Sequence, residues 1–233
     1  MSGTQRVKDE VKELLGRPLA AGQLDRALTR LAALPAKAVV RALLLGLSAA
    51  EPAQRWRAVR LLGLVTAGMA RRDPEAGREV LRRLRWGLNE ESGAIGWGAA
   101  EAMGEICALS PTLAEEFAHL LFSYLTPCAN FLEHPALRRG AIWALGRLAL
   151  ARPELARACQ GPELLLPFLG SPDPEARGLA AWALGLMACP QATAALRGLL
   201  ADPAPLLMPR DGELFPTSVG QLASQALAAL GPA

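Results

Sequence analysis

Apolar and small residues recur along this chain at spacings of three and four, which is the pattern of helices that bury one face. The clearest copy runs from Arg138 to Ala149, and a second runs from Ala176 to Met187. Both are rich in alanine and leucine and contain the sequence Ala-Leu-Gly. No stretch alternates apolar and polar residues over the length of a strand, so the pattern predicts an all-α protein.

The helical pattern repeats about every 40 residues when its copies are aligned on one small residue. The aligned residues are Gly63, Gly104, Gly146, Gly185 and Ala228. Their spacings are 41, 42, 39 and 43 residues. The residues five before, one before and two after this position are apolar or alanine in every copy and share one helical face. We call this face the core stripe, and it predicts one buried helix face in each of five units.

A second helix is predicted between successive copies, commonly beginning at a proline, as is favoured in a first helical turn. Two helices in each unit of about 40 residues are typical of an α-solenoid. We therefore predict a single domain over 1–233, with capping helices in 1–35 and five helix pairs in 36–230. The long segment from Asp202 to Thr217 is predicted to be a loop, and loops of that length are commonly functional.

The segment from Pro172 to Arg177, followed by Ala183-Leu184-Gly185, resembles a HEAT repeat. It is most similar to the short bacterial HEAT-like repeats of the phycobilisome-lyase subtype. An Asp-Pro-x-x-Arg start and an Ala-Leu-Gly centre carry the likeness, which covers roughly residues 36–230. The resemblance implies a right-handed α-α superhelix whose second helices line the concave surface. It implies no activity, because such repeats serve many functions.

A second column of residues lies beside the core stripe, at seven before, three before and one after the aligned small residue. We call it the variable stripe, and its chemically distinctive members are Trp56, Arg60, Trp97, Glu101, Glu105, Arg139, Trp143, Arg147 and Trp182. Because tryptophan and arginine are enriched at binding hot spots, these residues are predicted to bind a partner. On this interpretation, Trp143→Ala leaves folding nearly intact and abolishes partner capture. The alternative is that the tryptophans fill seams between repeats and the charged residues pair across neighbouring helices.

The loops between the helices of each unit are expected on one edge of the solenoid. The loop at 89–96 is acidic and glycine-rich, and the loop at 126–135 is long and contains a histidine. Their candidate partner-contacting residues are Asn89, Glu90, Glu91, Asn130, Glu133 and His134. No metal site is predicted at this edge, because these residues have no recognised ligand spacing and the chain has only two histidines.

No set of residues argues for catalysis, so we expect a non-enzymatic protein without a cofactor and leave an activity open. Cys128 and His134 are six residues apart, but no third group is evident to orient them. The glycines near residue 96 follow no strand and form no phosphate loop. The four cysteines have no Cys-x-x-Cys spacing and are expected to be buried free thiols in a reducing cytoplasm. Neither a signal peptide nor a membrane span is predicted.

Charge is unevenly distributed along the chain, although the net charge is only +3. Residues 1–88 contain 17 basic against 8 acidic residues, whereas residues 89–133 contain seven acids and no lysine or arginine. The arginines between Arg71 and Arg85 form a basic face that could follow phosphates. Pairing of Glu79 with Arg83 offers a structural alternative. The adjoining acidic run interrupts a basic groove, so nucleic acid is the weaker partner class.

The expected function is that of a protein scaffold that buries a partner's helix or loop against a preformed surface. One alternative comes from the bacterial alkylpurine DNA glycosylases of the helical-repeat type, which are similar in size. Arg139, Trp143, Arg147 and Trp182 loosely resemble the tryptophans and arginine of their cleft. No aspartate stands in these columns, so no catalytic role is carried over. The second alternative, a bilin or tetrapyrrole lyase-like role, rests on the name of the repeat subtype.

Overall fold

The computed structural model of the chain is 72% helical. It describes residues 3–19, 22–88 and 96–231, in which thirteen α-helices, two short 3₁₀ helices and a two-stranded sheet occur. None of the helices in these ranges is both long enough and apolar enough to cross a membrane. The chain divides into two compact units. Unit 1 is Met1–Leu113 with Pro209–Leu214, and unit 2 is Ala114–Met208 with Phe215–Ala233.

The first six helices belong to unit 1. They are α1 (Gly3–Leu15), α2 (Gln23–Ala32), α3 (Ala36–Gly46), α4 (Pro52–Ala70), α5 (Pro74–Leu88) and α6 (Ala99–Leu109). Helix α4 has 19 residues and packs against α3, α5 and α6. Its inner residues Ala58, Leu61 and Leu62 are 0% exposed, so α4 is the central helix of this unit's core.

The remaining helices lie wholly or mostly in unit 2. They are α7 (Pro111–Ser123), α8 (Pro135–Ala151), α9 (Pro153–Ala158), α10 (Gly161–Leu165), α11 (Pro174–Leu186), α12 (Thr193–Gly198) and α13 (Val219–Leu230). The 3₁₀ helices are Leu166–Gly170 and Pro190–Ala192. Helix α11 packs against α8 and α13 and is the central helix of unit 2. Its N-cap is Asp173, whose side chain accepts hydrogen bonds from the amides of Glu175 and Ala176 at 3.0 and 3.4 Å.

The predicted core stripe is buried over most of its length. In the third copy its residues Ala141, Leu145 and Leu148 are all 0% exposed. The aligned glycines mark the places where neighbouring helices approach closely, since a Cβ on Gly185 would lie 2.6 Å from Cα of Ala226 in α13. In the fifth copy the aligned residue Ala228 is exposed, whereas Ala223, five residues before it, is 0% exposed.

The segment predicted as a long loop contains a β-hairpin. Strands β1 (Pro205–Arg210) and β2 (Glu213–Ser218) form the two-stranded sheet and are joined by Asp211 and Gly212. These two residues have φ of 49° and 89°, and a two-residue type I′ turn requires positive φ at both positions. The expectation that the chain has no strand is therefore wrong. An Asp-Gly pair between apolar runs is a strong hairpin signal in a sequence.

Candidate functional site

In unit 1 the variable stripe extends over faces of α4 and α6. Trp56 and Arg60 lie one turn apart on α4, and Glu101 and Glu105 lie one turn apart on α6. Trp97 lies two residues before the start of α6. All except Glu105 keep part of their surface exposed, whereas Glu105 is 2% exposed. Two tryptophans and several charged groups therefore share a partly open surface in this unit.

Arg60 and Glu105 form an ion pair within the stripe. Nη1 of Arg60 donates to Oε1 of Glu105, and Nη2 of Arg60 lies 3.0 Å from Oδ1 of Asp211. The stem of Glu105 fills the space beside Gly63, where a Cβ would overlap it. Nε of Arg60 is buried and has no hydrogen-bond partner. Glu105 thus fills the seam between α4 and α6 and orients Arg60.

Glu101 has the most perturbed carboxyl group of the stripe. Its Oε2 is buried and accepts no hydrogen bond, although the residue as a whole is only partly buried. Burial raises the pKa of Glu101 to about 7, against the lowering effects of its own backbone amide and of Arg55. A carboxyl group that loses its hydration without gaining donors favours its protonated form. Near neutral pH, Glu101 is therefore divided between its protonated and ionised forms.

The two tryptophans of the stripe in unit 2 are buried to different extents. Trp143 is 4% exposed, so its ring belongs to the core and is covered from a partner. The ring of Trp182 occupies the space beside Gly146, where a Cβ would overlap it. Trp182 also packs against a cluster that includes Leu206 and Leu222. The ring of Trp182 is therefore placed as the seam interpretation describes, and it keeps some exposed surface.

The arginines of the stripe in unit 2 remain partly exposed. Nε of Arg139 lies 3.4 Å from Oδ2 of Asp173, and Nη1 of Arg139 donates to Oε2 of Glu175. These carboxylates stand at the start of α11, where negative charge is favoured by the helix dipole. Arg139 therefore joins α8 to the start of α11, while Arg147 lies two turns further along α8.

The predicted loop-edge residues fall into two groups. Asn89, Glu90 and Glu91 lie outside the described residues. Asn130, Glu133 and His134 are exposed. Nδ1 of His134 accepts a hydrogen bond of 3.2 Å from the amide of Ala136, so this histidine caps α8. Nδ2 of Asn130 donates to Oγ of Ser123 at 3.1 Å, at the end of α7.

The cysteines and acidic residues offer no metal centre within the described ranges, where no three or more His, Cys, Asp or Glu side chains are grouped to hold an ion. All four cysteines are free thiols. Cys107 and Cys189 are buried, Cys159 is partly buried and Cys128 is exposed. The expectation of buried thiols is therefore wrong for Cys128, which lies in the exposed turn after α7.

The arginine-rich face of α5 is largely paired with acids on the same helix. Arg82 and Arg78 donate to the carboxylate of Glu75 and hold its pKa below the ordinary value. Nε of Arg83 donates to Oε1 of Glu79 at 3.0 Å, so the Glu79–Arg83 pair anticipated from the sequence is present. Such exposed pairs contribute little to stability, but they reduce the charge available to phosphates.

A site that the sequence does not single out lies on α4 beside the stripe. Nε and Nη2 of Arg57 donate to Oε1 and Oε2 of Glu213, each at 2.8 Å. The amide of Leu19 also donates to Oε1 of Glu213, at 2.7 Å. Burial acts to raise the pKa of Glu213, but the donors from Arg57 and Leu19 hold it below the ordinary value. The hairpin tip is thus bound to unit 1 through a carboxylate.

The turn residues of the hairpin complete this contact. A Cβ on Gly212 would lie 3.1 Å from Cβ of Arg60 and 3.1 Å from Cδ1 of Leu19, and the positive φ of Gly212 favours glycine independently. The Asp211 side chain reaches Arg60 yet is 77% exposed. In the sequence, the Asp-Gly pair indicates the turn that makes this contact. Arg57 gave no signal, because its position on α4 lies outside the repeated columns.

Comparisons with known proteins bear on the fold. A family model described as a HEAT-like repeat matches residues 135–187. A crystal structure of an engineered protein aligns with a TM-score of 0.53 and 21% sequence identity, covering 97% of this chain and 96% of that chain. A designed armadillo repeat protein in complex with the peptide (KR)4 aligns with a TM-score of 0.54 and 18% identity, covering 97% and 99%. The fold is that of a helical-repeat solenoid.

A second designed armadillo repeat protein agrees, with a TM-score of 0.53, 19% identity and coverage of 97% of this chain and 100% of that chain. The predicted all-α solenoid class is therefore confirmed, with the hairpin as a small addition. The likeness to HEAT repeats is confirmed over residues 135–187, without assignment to a subtype. A search of curated proteins finds no match to this chain.

Replacement of Trp143 tests its place in the core. We expect Trp143→Ala to lower the free energy of unfolding by about 3–5 kcal/mol, because it leaves a large cavity. The matched control is Trp86→Ala, since Trp86 is 73% exposed and its loss should change stability by about 0.5 kcal/mol or less. Urea unfolding measures both. If Trp143→Ala is as stable as the wild type, the ring of Trp143 does not belong to the core.

Replacement of Glu101 tests the raised pKa. The folded-state value of about 7 lies above the ordinary 4.5, so the folded chain holds an extra proton between these pH values. The free energy of unfolding should therefore fall as the pH rises from 4.5 to 7, by on the order of 3 kcal/mol. In Glu101→Gln the free energy of unfolding should no longer fall over this pH range. In the control Glu133→Gln, at an exposed site, it should fall as in the wild type. Urea unfolding at pH 5 and pH 8 decides, and an unchanged pH dependence in Glu101→Gln refutes the assignment.

Proposed function

We propose that this protein is a non-enzymatic scaffold that binds an extended segment of a partner protein along its variable stripe. One observation carries the proposal. Nε of Arg60 and Oε2 of Glu101 are both buried without a hydrogen-bond partner, on packed helices that also carry Trp56. Native proteins pair nearly all of their buried polar atoms, so an exception on a partly open surface calls for an explanation.

An unsatisfied buried donor or acceptor costs roughly 1–3 kcal/mol. Because neither atom reaches solvent, a partner segment recovers this free energy only by shifting the two side chains, after which it accepts from Arg60 and donates to Glu101. Trp56 and Trp97 each stand four residues before Arg60 and Glu101 in the variable stripe, and both keep exposed surface. Large aromatic side chains supply contact area at little conformational cost, which is why they are frequent hot spots.

The proposed contact residues are those members of the variable stripe that retain exposed surface. In unit 1 they are Trp56, Arg60, Trp97 and Glu101, and in unit 2 they are Arg139, Arg147 and Trp182. Glu105 and Trp143 are buried and would support them from within. The loop-edge residues Asn130, Glu133 and His134 are proposed to contribute to partner choice. The single domain with a cap in 1–35 and five helix pairs in 36–230 remains a prediction.

An extended peptide is the proposed form of the partner segment. The designed armadillo repeat protein of similar fold was solved in complex with the peptide (KR)4. At 18% identity this is an analogy of fold, and the peptide chemistry is not transferred. The proposed setting is the bacterial cytoplasm, in keeping with the resemblance to bacterial repeats and with four free thiols. The paired arginines of α5 give nucleic acid no specific support, and no observation favours a bilin-binding role.

A peptide selection tests this function. Random peptides displayed on phage are selected against the wild-type protein, and the affinity of the best binder is measured by fluorescence polarisation. We expect Trp97→Ala to weaken binding at least about tenfold, because loss of a hot-spot tryptophan costs about 2 kcal/mol or more. Trp86→Ala is the matched control, since Trp86 lies on α5 outside the stripe and should bind as wild type does. Failure to select any peptide, or equal weakening by both variants, contradicts the proposal.

A further inference from the structure

The hairpin tip is bound by a receptor for carboxylates whose donors come from separate parts of unit 1. Two donors come from Arg57 on α4 and a third from the amide of Leu19, which follows α1. All three converge on the carboxylate of Glu213, with donor–acceptor distances of 2.7–2.8 Å. Bidentate guanidinium–carboxylate pairs combine strength with a fixed orientation. The ligand chemistry of this site is therefore set by charge and geometry together.

The receptor holds its own donors in place. Nη1 of Arg57 donates to the carbonyl of Leu15 at 3.0 Å, which fixes the guanidinium plane from the side of α1. Arg60 is oriented by Glu105, which is itself buried in the seam with α6. Neither of these contacts involves the hairpin. The two arginine side chains therefore have supports other than the tip, as a preorganised binding site requires.

The site also selects the shape of what it binds. Arg57 takes the carboxylate of Glu213, and Arg60 takes that of Asp211. Between them Gly212 lies so close to Arg60 and Leu19 that an added Cβ would have contacts of 3.1 Å. The recognised element is thus a turn in which two carboxylates flank a glycine.

The tip leaves part of the neighbouring surface unsatisfied. It contacts Nη2 of Arg60, yet Nε of the same side chain remains buried without a partner, as does Oε2 of Glu101. One carboxylate of a longer acidic segment can take the place of Glu213 on Arg57, and a second can pair with Arg60. Because Arg57 is 8% exposed, it needs an anion, and the exchange replaces one carboxylate by another. The side chain of Asp211 is 77% exposed, which gives an incoming segment access to Arg60.

We infer that Arg57, Arg60 and the amide of Leu19 form a binding site for an acidic turn of a partner protein, in which two carboxylates flank a glycine. The chain's own Asp211–Glu213 occupies this site until the partner displaces it. The inference rests on the proposed scaffold function and specifies the partner class. Only molecules in which the tip has left the site can bind the partner. The apparent affinity is therefore the affinity of the open site multiplied by the fraction of molecules that are open.

The test uses the full chain and a fluorescent cyclised hairpin peptide that copies residues 206–217. A control peptide carries Asn and Gln in place of its two acids. The variant Asp211→Asn/Glu213→Gln removes the charges of the internal tip and leaves the receptor intact. We expect this variant to bind the acidic peptide at least tenfold more tightly than wild type does, and the control peptide at least tenfold more weakly than the acidic one. Fluorescence polarisation at low and high salt measures both, and the affinity for the acidic peptide should fall with salt.

Two further variants keep the result interpretable. Asp211→Asn alone alters an exposed side chain, keeps Glu213 in place and should give a smaller gain in the same direction. If the double variant is unstable, the acidic peptide should raise its melting temperature, since a ligand of the folded state stabilises it. Adding Arg57→Met to the double variant should abolish the gain. Equal affinities of wild type and the double variant, or equal binding of the two peptides, overturn the inference.

Other outcomes separate this inference from the function on which it rests. If phage selection yields peptides without acidic turns that still depend on Trp97, the scaffold function stands and the present site assignment fails. A wild-type dimer that the acidic peptide dissociates would assign the site to the tip of a second copy of this chain. That result would also overturn the inference, and sedimentation of the wild type with and without peptide detects it.

Discussion

A partly buried bidentate ion pair between Arg57 and Glu213 connects positions that are 156 residues apart in the chain. Because Arg57 is 8% exposed, its guanidinium cannot be left without an anion at small cost. The position of the hairpin tip, the contact of Asp211 with Arg60 and the close approach of Gly212 all follow from this pair. It determines which part of the candidate surface is covered and which part stays open.

The two units use equivalent sequence positions differently. Trp56 and Trp143 both belong to the variable stripe, but Trp56 keeps exposed surface and Trp143 is buried. The ring of Trp182 fills the space beside Gly146 on the preceding helix, whereas Glu105 fills the space beside Gly63. Unit 2 therefore has the ring of Trp182 in a seam, and unit 1 has a charged seam with unpaired buried atoms. This difference is why the proposed binding chemistry centres on unit 1.

The solenoid class and the core stripe could be predicted from the sequence, because burying one helix face requires apolar residues at regular spacing. The exposure of the stripe tryptophans could not be predicted, because it depends on which residue of the neighbouring helix lies beside each ring, such as Gly146 beside Trp182. The hairpin is not evident from the alternation of apolar and polar residues, because Pro209 and Pro216 interrupt it. The pair Asp211-Gly212 is nevertheless a sufficient turn signal. The role of Arg57 could not be predicted, because it depends on the carboxylate of Glu213, which lies 156 residues away in the sequence.

A double-mutant cycle on Arg57→Met and Glu213→Gln tests most directly whether this pair anchors the hairpin tip. At pH 7 we expect a coupling free energy of about 2 kcal/mol or more from urea unfolding. The pKa of Glu213 is held below the ordinary 4.5, so the coupling should be complete above pH 4.5 and should disappear as the pH falls through that lowered value. Additive effects of the two substitutions, within about 0.5 kcal/mol at pH 7, would contradict the account.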